Sequence, residues 1–120
     1  MYKARYYMTA SGRYPVKEFI EAQDAKAAEK IISYILYLCD KGPGLHRPYA
    51  DTVRGKIREL RVEFSPNNYR IFYYFSIEQN IIMLHGIKKK DQKLKQKDIE
   101  TAEVRMLDFE TRIRKGEIKL

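Results

Sequence analysis

The sequence predicts an α+β fold of order β-α-α-β-β-β-α, a small antiparallel sheet carrying two N-terminal helices and a C-terminal helix. Three observations predict it. An amphipathic segment with apolar steps of three and four follows Asp24; three β-branched and aromatic runs follow one another between Lys56 and Lys88; and a second amphipathic segment starts near Lys97. At 120 residues the chain has the size of one domain, 1–120, with a single core.

Residues 2–8 are aromatic and end at the turn-rich Thr9-Ala10-Ser11-Gly12, which marks a first strand. Pro15 suits the first turn of a short helix, and Asp24 suits the N-cap of a longer one. In that longer helix Ala28, Ile31, Ile32, Ile35 and Leu38 form the apolar stripe, and Gly42 stands where a left-handed residue ends it. Residues 42–51 read as a loop because Pro43, Gly44 and Pro48 deny it regular structure. Lys56–Phe64, Tyr69–Ser76 and Ile81–Lys88 read as an antiparallel meander, with turns at Ser65-Pro66-Asn67-Asn68 and Glu78-Gln79-Asn80. The last helix places Ile99, Ala102, Met106, Phe109 and Ile113 inward, with Asp108/Arg112 and Glu110/Arg114 as outer pairs. The helices are expected on one face of the sheet, leaving the other for a ligand.

Twenty-four Lys and Arg against sixteen Asp and Glu give a net charge of +8, which favours a polyanionic partner: nucleic acid, an acidic protein or a membrane surface. Cys39 is the only cysteine, so an intramolecular disulfide and a cysteine-based zinc site are excluded and a reducing compartment fits. No stretch has the length of a membrane span or the apolar run of a signal peptide, so a cytoplasmic protein without membrane contact is expected. His46 and His85 have no carboxylate at ligand spacing, and no Ser-His-Asp or Cys-His arrangement is legible. No metal and no cofactor is expected.

Chemistry is carried by cations on or beside strands: Lys56, Arg58 and Arg61 on the second, Arg70 on the third, and Lys88, Lys89 and Lys90 where the fourth ends. Period-two alternation puts Lys56 and Arg58 on one face and Arg61 on the other, so two or three of these plus a strand-end lysine can cradle a phosphate. Each taken singly reads equally well as a solvated charge. Arg70 is the sharpest candidate, a lone cation among apolar and aromatic neighbours whose guanidinium can fork onto a phosphate or pair with Glu59 or Glu63. His85 suits proton transfer near neutral pH, yet its strand is the most apolar in the chain and a hydrogen-bonded core histidine fits it better. Tyr69, Tyr73 and Tyr74 can stack on bases or fill the core. The run Lys88–Lys97, with six lysines including Lys93 and Lys95 and one aspartate, is an electrostatic footprint for a phosphate backbone or a solvated loop.

Such a set supports RNA cleavage in which a base takes the ribose 2′-hydroxyl proton, the oxygen attacks phosphorus, cations neutralise the phosphorane and an acid protonates the leaving 5′-oxygen. Crowding by like charges lowers a lysine toward that base role.

Lys56-Ile57-Arg58-Glu59-Leu60-Arg61, Tyr69-Arg70-Ile71-Phe72-Tyr73, Leu84-His85-Gly86-Ile87-Lys88-Lys89-Lys90 and the segment Ile99 to Phe109, in this order, resemble the phage-derived HigB branch of the RelE/ParE toxin superfamily. The resemblance implies a ribosome-dependent mRNA endonuclease, the toxin of a type II pair. Its antitoxin is then a helix-turn-helix protein, through which alone operator DNA is contacted. By position it implies that Lys56 and Arg58 are the basic pair, Arg70 the phosphate-binding arginine, and Lys88 to Lys90 the closing basic residues. The chain departs from relatives in having Leu94-Lys95 where many carry Thr-Pro, and in lacking a counterpart of the C-terminal Tyr or His that some relatives use for proton transfer. Two rival readings are a ParE-like gyrase inhibitor without nuclease activity and an inactive nucleic-acid-binding phage accessory protein. On the leading reading, Arg70→Ala abolishes toxicity and leaves the fold intact.

Overall fold

A computed structural model describes residues 1–90 and 93–120. The elements run β1 (Lys3–Tyr6), α1 (Pro15–Glu21), α2 (Ala25–Lys41), β2 (Ala50–Arg54), β3 (Ile57–Phe64), β4 (Asn67–Phe75), β5 (Asn80–Lys89) and α3 (Gln96–Arg114). The α+β class and the order of helices are those the sequence predicts, with one strand more. That strand, β2, emerges from the expected loop by pairing antiparallel with β3, Ala50 against Leu60 and Asp51 against Glu59. Its polar Asp-Thr sequence carries no strand signal because an edge strand is held by its one neighbour and not by its own burial.

The five strands lie in the order β1-β5-β4-β3-β2. β1 runs parallel to β5, Lys3 opposite Asn80 and Tyr6 opposite Met83, so the sheet is mixed. The β3–β4 turn is tighter than the sequence suggested: Phe64 faces Asn67 across Ser65 and Pro66, which sets Arg61 opposite Arg70 and Glu59 opposite Phe72. Between β4 and β5 a bulge at Leu84 shifts the register, Phe72 facing His85 but Tyr73 facing Met83. The extra residue sends the Leu84 and His85 side chains to the same face.

Helices cover both faces, which corrects the expectation of a one-sided sheet. Val16, Ile20, Ile31, Ile35 and Leu38 of α1 and α2 pack on Leu60, Val62, Ile71, Tyr73 and Met83. Ala102 and Phe109 of α3 pack on Ile57, Phe72, Tyr74, Ile82 and Leu84 on the other side. The central strands alternate apolar residues on both sides, and two apolar faces require two covers. The α2 stripe runs Ala27, Ile31, Ile35, Leu38, and Ile32, which the sequence placed in it, is exposed because it lies about 100° round the helix from Ile31. On α3, Asp108 pairs with Arg112 as expected, whereas Glu110 faces Lys56 and Arg114 bonds Thr111. Among the described residues no helix is long and apolar enough to cross a membrane.

Helix α2 shows how sequence sets its own limits. The Asp24 carboxylate accepts from the Ala27 amide at 2.9 Å, a cap that contributes about 1 kcal/mol. At the other end Gly42 has φ +58°, and a Cβ there would overlap the ring of Tyr2, whose amide donates to Cys39 O. Both features join β1 to the end of α2. Gly42→Ala is therefore expected to lower stability by about 1–3 kcal/mol, while Gly44→Ala, with open space around it, stays within about 0.5 kcal/mol; equal urea midpoints for the two variants would contradict this.

Candidate functional site

Alternation along β3 and β4 brings Glu59, Arg61 and Arg70 together on the α3 face. Arg61 Nη1 donates to Glu59 Oε2 at 3.0 Å, and Arg70 Nε forms an ion pair with Glu59 Oε1 at 3.1 Å. The Arg70 guanidinium also donates to the Tyr69 carbonyl. Side-chain exposure is 0% for Arg70, 5% for Glu59 and 10% for Arg61, so Arg61 is the member nearest solvent. Desolvation, followed by the positive charge of Arg61, pulls the Arg70 pKa below the usual arginine value, and Glu59 opposes the shift. The guanidinium stays charged, since no protein environment of this kind neutralises arginine. Two cations and one carboxylate with little water form an electrostatically strong group, with Arg47 and Asp51 paired at its outer edge.

A second feature lies at the end of β5. A cleft of about 460 Å³ is lined by Phe19 of α1, by Gly86, Ile87, Lys88, Lys89 and Lys90, and by Lys95, Lys97 and Asp98 at the start of α3. The strand contributes its lysines because β5 runs past the last residue of β1, and the helix contributes its own because α3 begins beside that end. Gly86 has no side chain and the Phe19 ring fills the place a Cβ would take. Asp91 and Gln92 of the sequence's basic run lie outside the described residues.

His85 stands on the α3 face next to this cleft. Its Nε2 lies 2.9 Å from Asp98 Oδ1, its Nδ1 3.3 Å from Arg105 Nη1, and its ring stacks on Phe72 with centroids 5.8 Å apart. A neutral ring with its proton on Nε2 satisfies both contacts, donating to Asp98 and accepting from Arg105. Burial lowers the His85 pKa; the bond to Asp98 raises it, and the Arg105 charge lowers it again. The cross-strand row Glu59, Phe72, His85 sets the carboxylate and the imidazole on one face with an aromatic ring between them.

The structure thus gathers Arg61 with Arg70, and Lys88, Lys89 and Lys90 with Lys95. Lys93 is exposed and does not line the cleft. Three expected site residues lie elsewhere. Lys56 precedes β3, in the turn from β2, and extends to within 3.9 Å of Glu110. Arg58 falls on the opposite face, where Nη2 donates to the Leu45 carbonyl at 3.0 Å; alternation separates it from Arg61 and Arg70. Tyr73 is wholly buried beside Arg58, its pKa pushed up to about 12 by burial, and a ring with no exposed surface cannot stack on a base. Tyr69 and Tyr74 are likewise core. The expectation of one pocket joining cations of three strands is corrected to a paired-charge group and a separate lysine cleft.

Sequence reasoning named Glu59 only as an ion-pair partner and Lys97 only as the end of the basic run, and did not reach Asp98, Arg105 or Phe19. A two-residue β3–β4 turn is the signal that places Glu59 and Arg61 beside Arg70; Asp98 and Arg105 required knowing that α3 lies over β5. Among the described residues no group of three or more His, Cys, Asp and Glu comes together as a metal site.

With this geometry in view, comparison with known families is informative. Residues 18–107 match the family model described as phage derived protein Gp49-like. The match spans the end of α1, all of α2, the four strands β2 to β5 and most of α3. The chain belongs to the Gp49-like family. No curated protein matches it.

Two outcomes follow from the charges. Arg70→Ala leaves Glu59 and a cavity in a nearly dry site, and is expected to cost about 3 kcal/mol, in place of the unaltered fold the sequence suggested; a urea midpoint equal to that of the unaltered chain would contradict this. For His85 the folded pKa lies below the unfolded value of about 6.5, so the unfolded chain binds the proton first. Stability contributed by neutral His85 is then complete above that value and is lost as pH falls from it through the folded pKa. The groups facing the ring are Asp98, Arg105 and Lys97. Denaturant midpoints measured between about pH 7.5 and pH 5 should fall less steeply for His85→Asn than for the unaltered chain; parallel curves would remove the assignment.

Proposed function

We propose that this protein is a RelE/HigB-like toxin of a type II toxin–antitoxin pair, an endoribonuclease that cuts mRNA on the ribosome and inhibits translation. The observation that carries this reading is the Glu59 carboxylate set between two guanidiniums on a strongly basic domain. Membership of the phage-derived Gp49-like family supports it. So does the order of the basic motifs, which resembles that of HigB toxins.

In this reading Glu59 takes the proton of the ribose 2′-hydroxyl. The O2′ lone pair forms a bond to the adjacent phosphorus, the P–O5′ bond breaks, and a 2′,3′-cyclic phosphate remains. Arg61, the most accessible of the three, meets the phosphate first and Arg70 supports the developing phosphorane charge from beneath. Donors already ordered in a dry site require little rearrangement as charge develops. A strand-end lysine protonates the leaving 5′-oxygen, and Lys89 shares the α3 face with Arg70 by alternation from Ile87, which faces Arg70. Lys88, Lys90, Lys95 and Lys97 hold the RNA backbone by charge and read no sequence. The antitoxin is a helix-turn-helix protein that carries the operator contact, and the toxin works in the cytoplasm.

One observation favours a non-nucleolytic reading, either a ParE-like gyrase inhibitor or an inactive nucleic-acid-binding protein: Arg70 has no exposed surface and already holds a carboxylate. Induction in a bacterium followed by mapping of new mRNA 5′ ends separates the two. The nuclease reading predicts cuts in translated messages, and Glu59→Gln is expected to slow cutting about a hundredfold per folded molecule, the folded fraction being set by a urea titration because the substitution also removes the charge that holds Arg61 and Arg70 together. Intact messages during growth arrest, or full activity in Glu59→Gln, would contradict it.

A further inference from the structure

The cleft at the end of β5 has a property that phosphate binding does not use. β1 pairs only with Asn80 to Met83, and the Tyr7 amide closes this ladder on the Met83 carbonyl. Arg105 takes the Leu84 carbonyl at 2.9 Å. Beyond it, from His85 to Lys89, β5 continues with β4 on one side and, among the described residues, no strand on the other. Gly86 to Lys89 of this stretch line the lysine cleft together with Phe19 on α1 and Lys97 on α3.

We propose that the cleft binds an extended acidic peptide, which adds to β5 as a sixth strand. A sheet edge presents amide N–H and carbonyl groups at strand spacing, and another peptide backbone matches both, which a sugar-phosphate chain does not. An added strand directs alternate side chains to opposite walls. One set meets the α1 wall, where Lys88 stands on the same side as Gly86; the other meets the α3 wall with Lys95 and Lys97. The first turn of α3 already carries an acid, Asp98, which is bonded to His85, so the attraction for carboxylates on this wall comes from Lys95 and Lys97. The proposal stands without the nuclease reading; if that reading holds, peptide and RNA compete for the same lysines.

The test uses the full chain and a short labelled peptide alternating valine and glutamate. Fluorescence anisotropy measures binding, and hydrogen exchange follows the amides of residues 85–89. The peptide is expected to bind and to slow exchange along this stretch. Methylation of alternate peptide amides, which keeps every charge and removes donors, should weaken binding roughly tenfold or more. The double variant Lys88→Glu, Lys97→Glu should do the same with an unchanged circular dichroism spectrum. Equal binding of methylated and unmethylated peptide, or displacement by oligouridine with no exchange protection by the peptide, would show a surface for any polyanion and overturn the proposal. Absence of binding would overturn it too. Should the double variant fail to fold, the methylated peptide decides on the unaltered chain.

Discussion

Two guanidiniums directly opposite on neighbouring strands repel, and the Glu59 carboxylate between Arg61 and Arg70 is what makes their meeting favourable. The arrangement depends on register. A slip of one residue between β3 and β4 would move Glu59 and Arg61 to the face of α1 and α2, where Leu60 and Val62 now pack, and would bring those apolar side chains against the α3 side. One buried ion group and one apolar face therefore specify the same pairing. This is a local case of a charged group used for specificity, since a carboxylate and two cations removed from water contribute less net stability than their proximity suggests.

Much of this was legible beforehand. The α2 cap at Asp24, the Pro15 start of α1 and the inward Ala102, Met106, Phe109 and Ile113 of α3 follow from local chemistry, and the structure keeps them, while Ile99 lies outside the core cluster. β2 was hidden because Asp51 and Thr52 are polar and the strand owes its existence to the edge of β3. The placement of α3 was hidden for a related reason: helix periodicity says which stripe is buried but not against which face. Both faces of β4 are apolar, with Ile71 and Tyr73 on one side and Phe72 and Tyr74 on the other, and this was the available sign that a second cover was needed.

The candidate site was legible in its residue types and less so in its grouping. Arg70 was marked by its apolar neighbours, and its pairing with Glu59 was one of the alternatives the strand pattern allowed. Alternation rightly separated Arg58 from Arg61, but reading the β3–β4 turn as four residues obscured which of them stands opposite Arg70. The bulge at Leu84 had no sequence signal, yet it directs His85 to Asp98 and Arg105. Sequence distance concealed the cleft as well: Phe19, Gly86 and Lys97 meet only because α1 and α3 flank the end of one strand. The result is a division of labour between a nearly dry ion group, suited to chemistry on a phosphate, and an open basic cleft, suited to holding an extended anionic chain.

The most direct measurement of the proposed chemistry is the mass of the new 3′ end produced when purified protein meets a defined message on ribosomes. Attack by the neighbouring 2′-hydroxyl predicts a 2′,3′-cyclic phosphate and a 5′-hydroxyl on the downstream fragment, and no cut at a link whose 2′ position is deoxy. A 3′-hydroxyl paired with a 5′-phosphate, or cleavage that persists at the deoxy link, would contradict it.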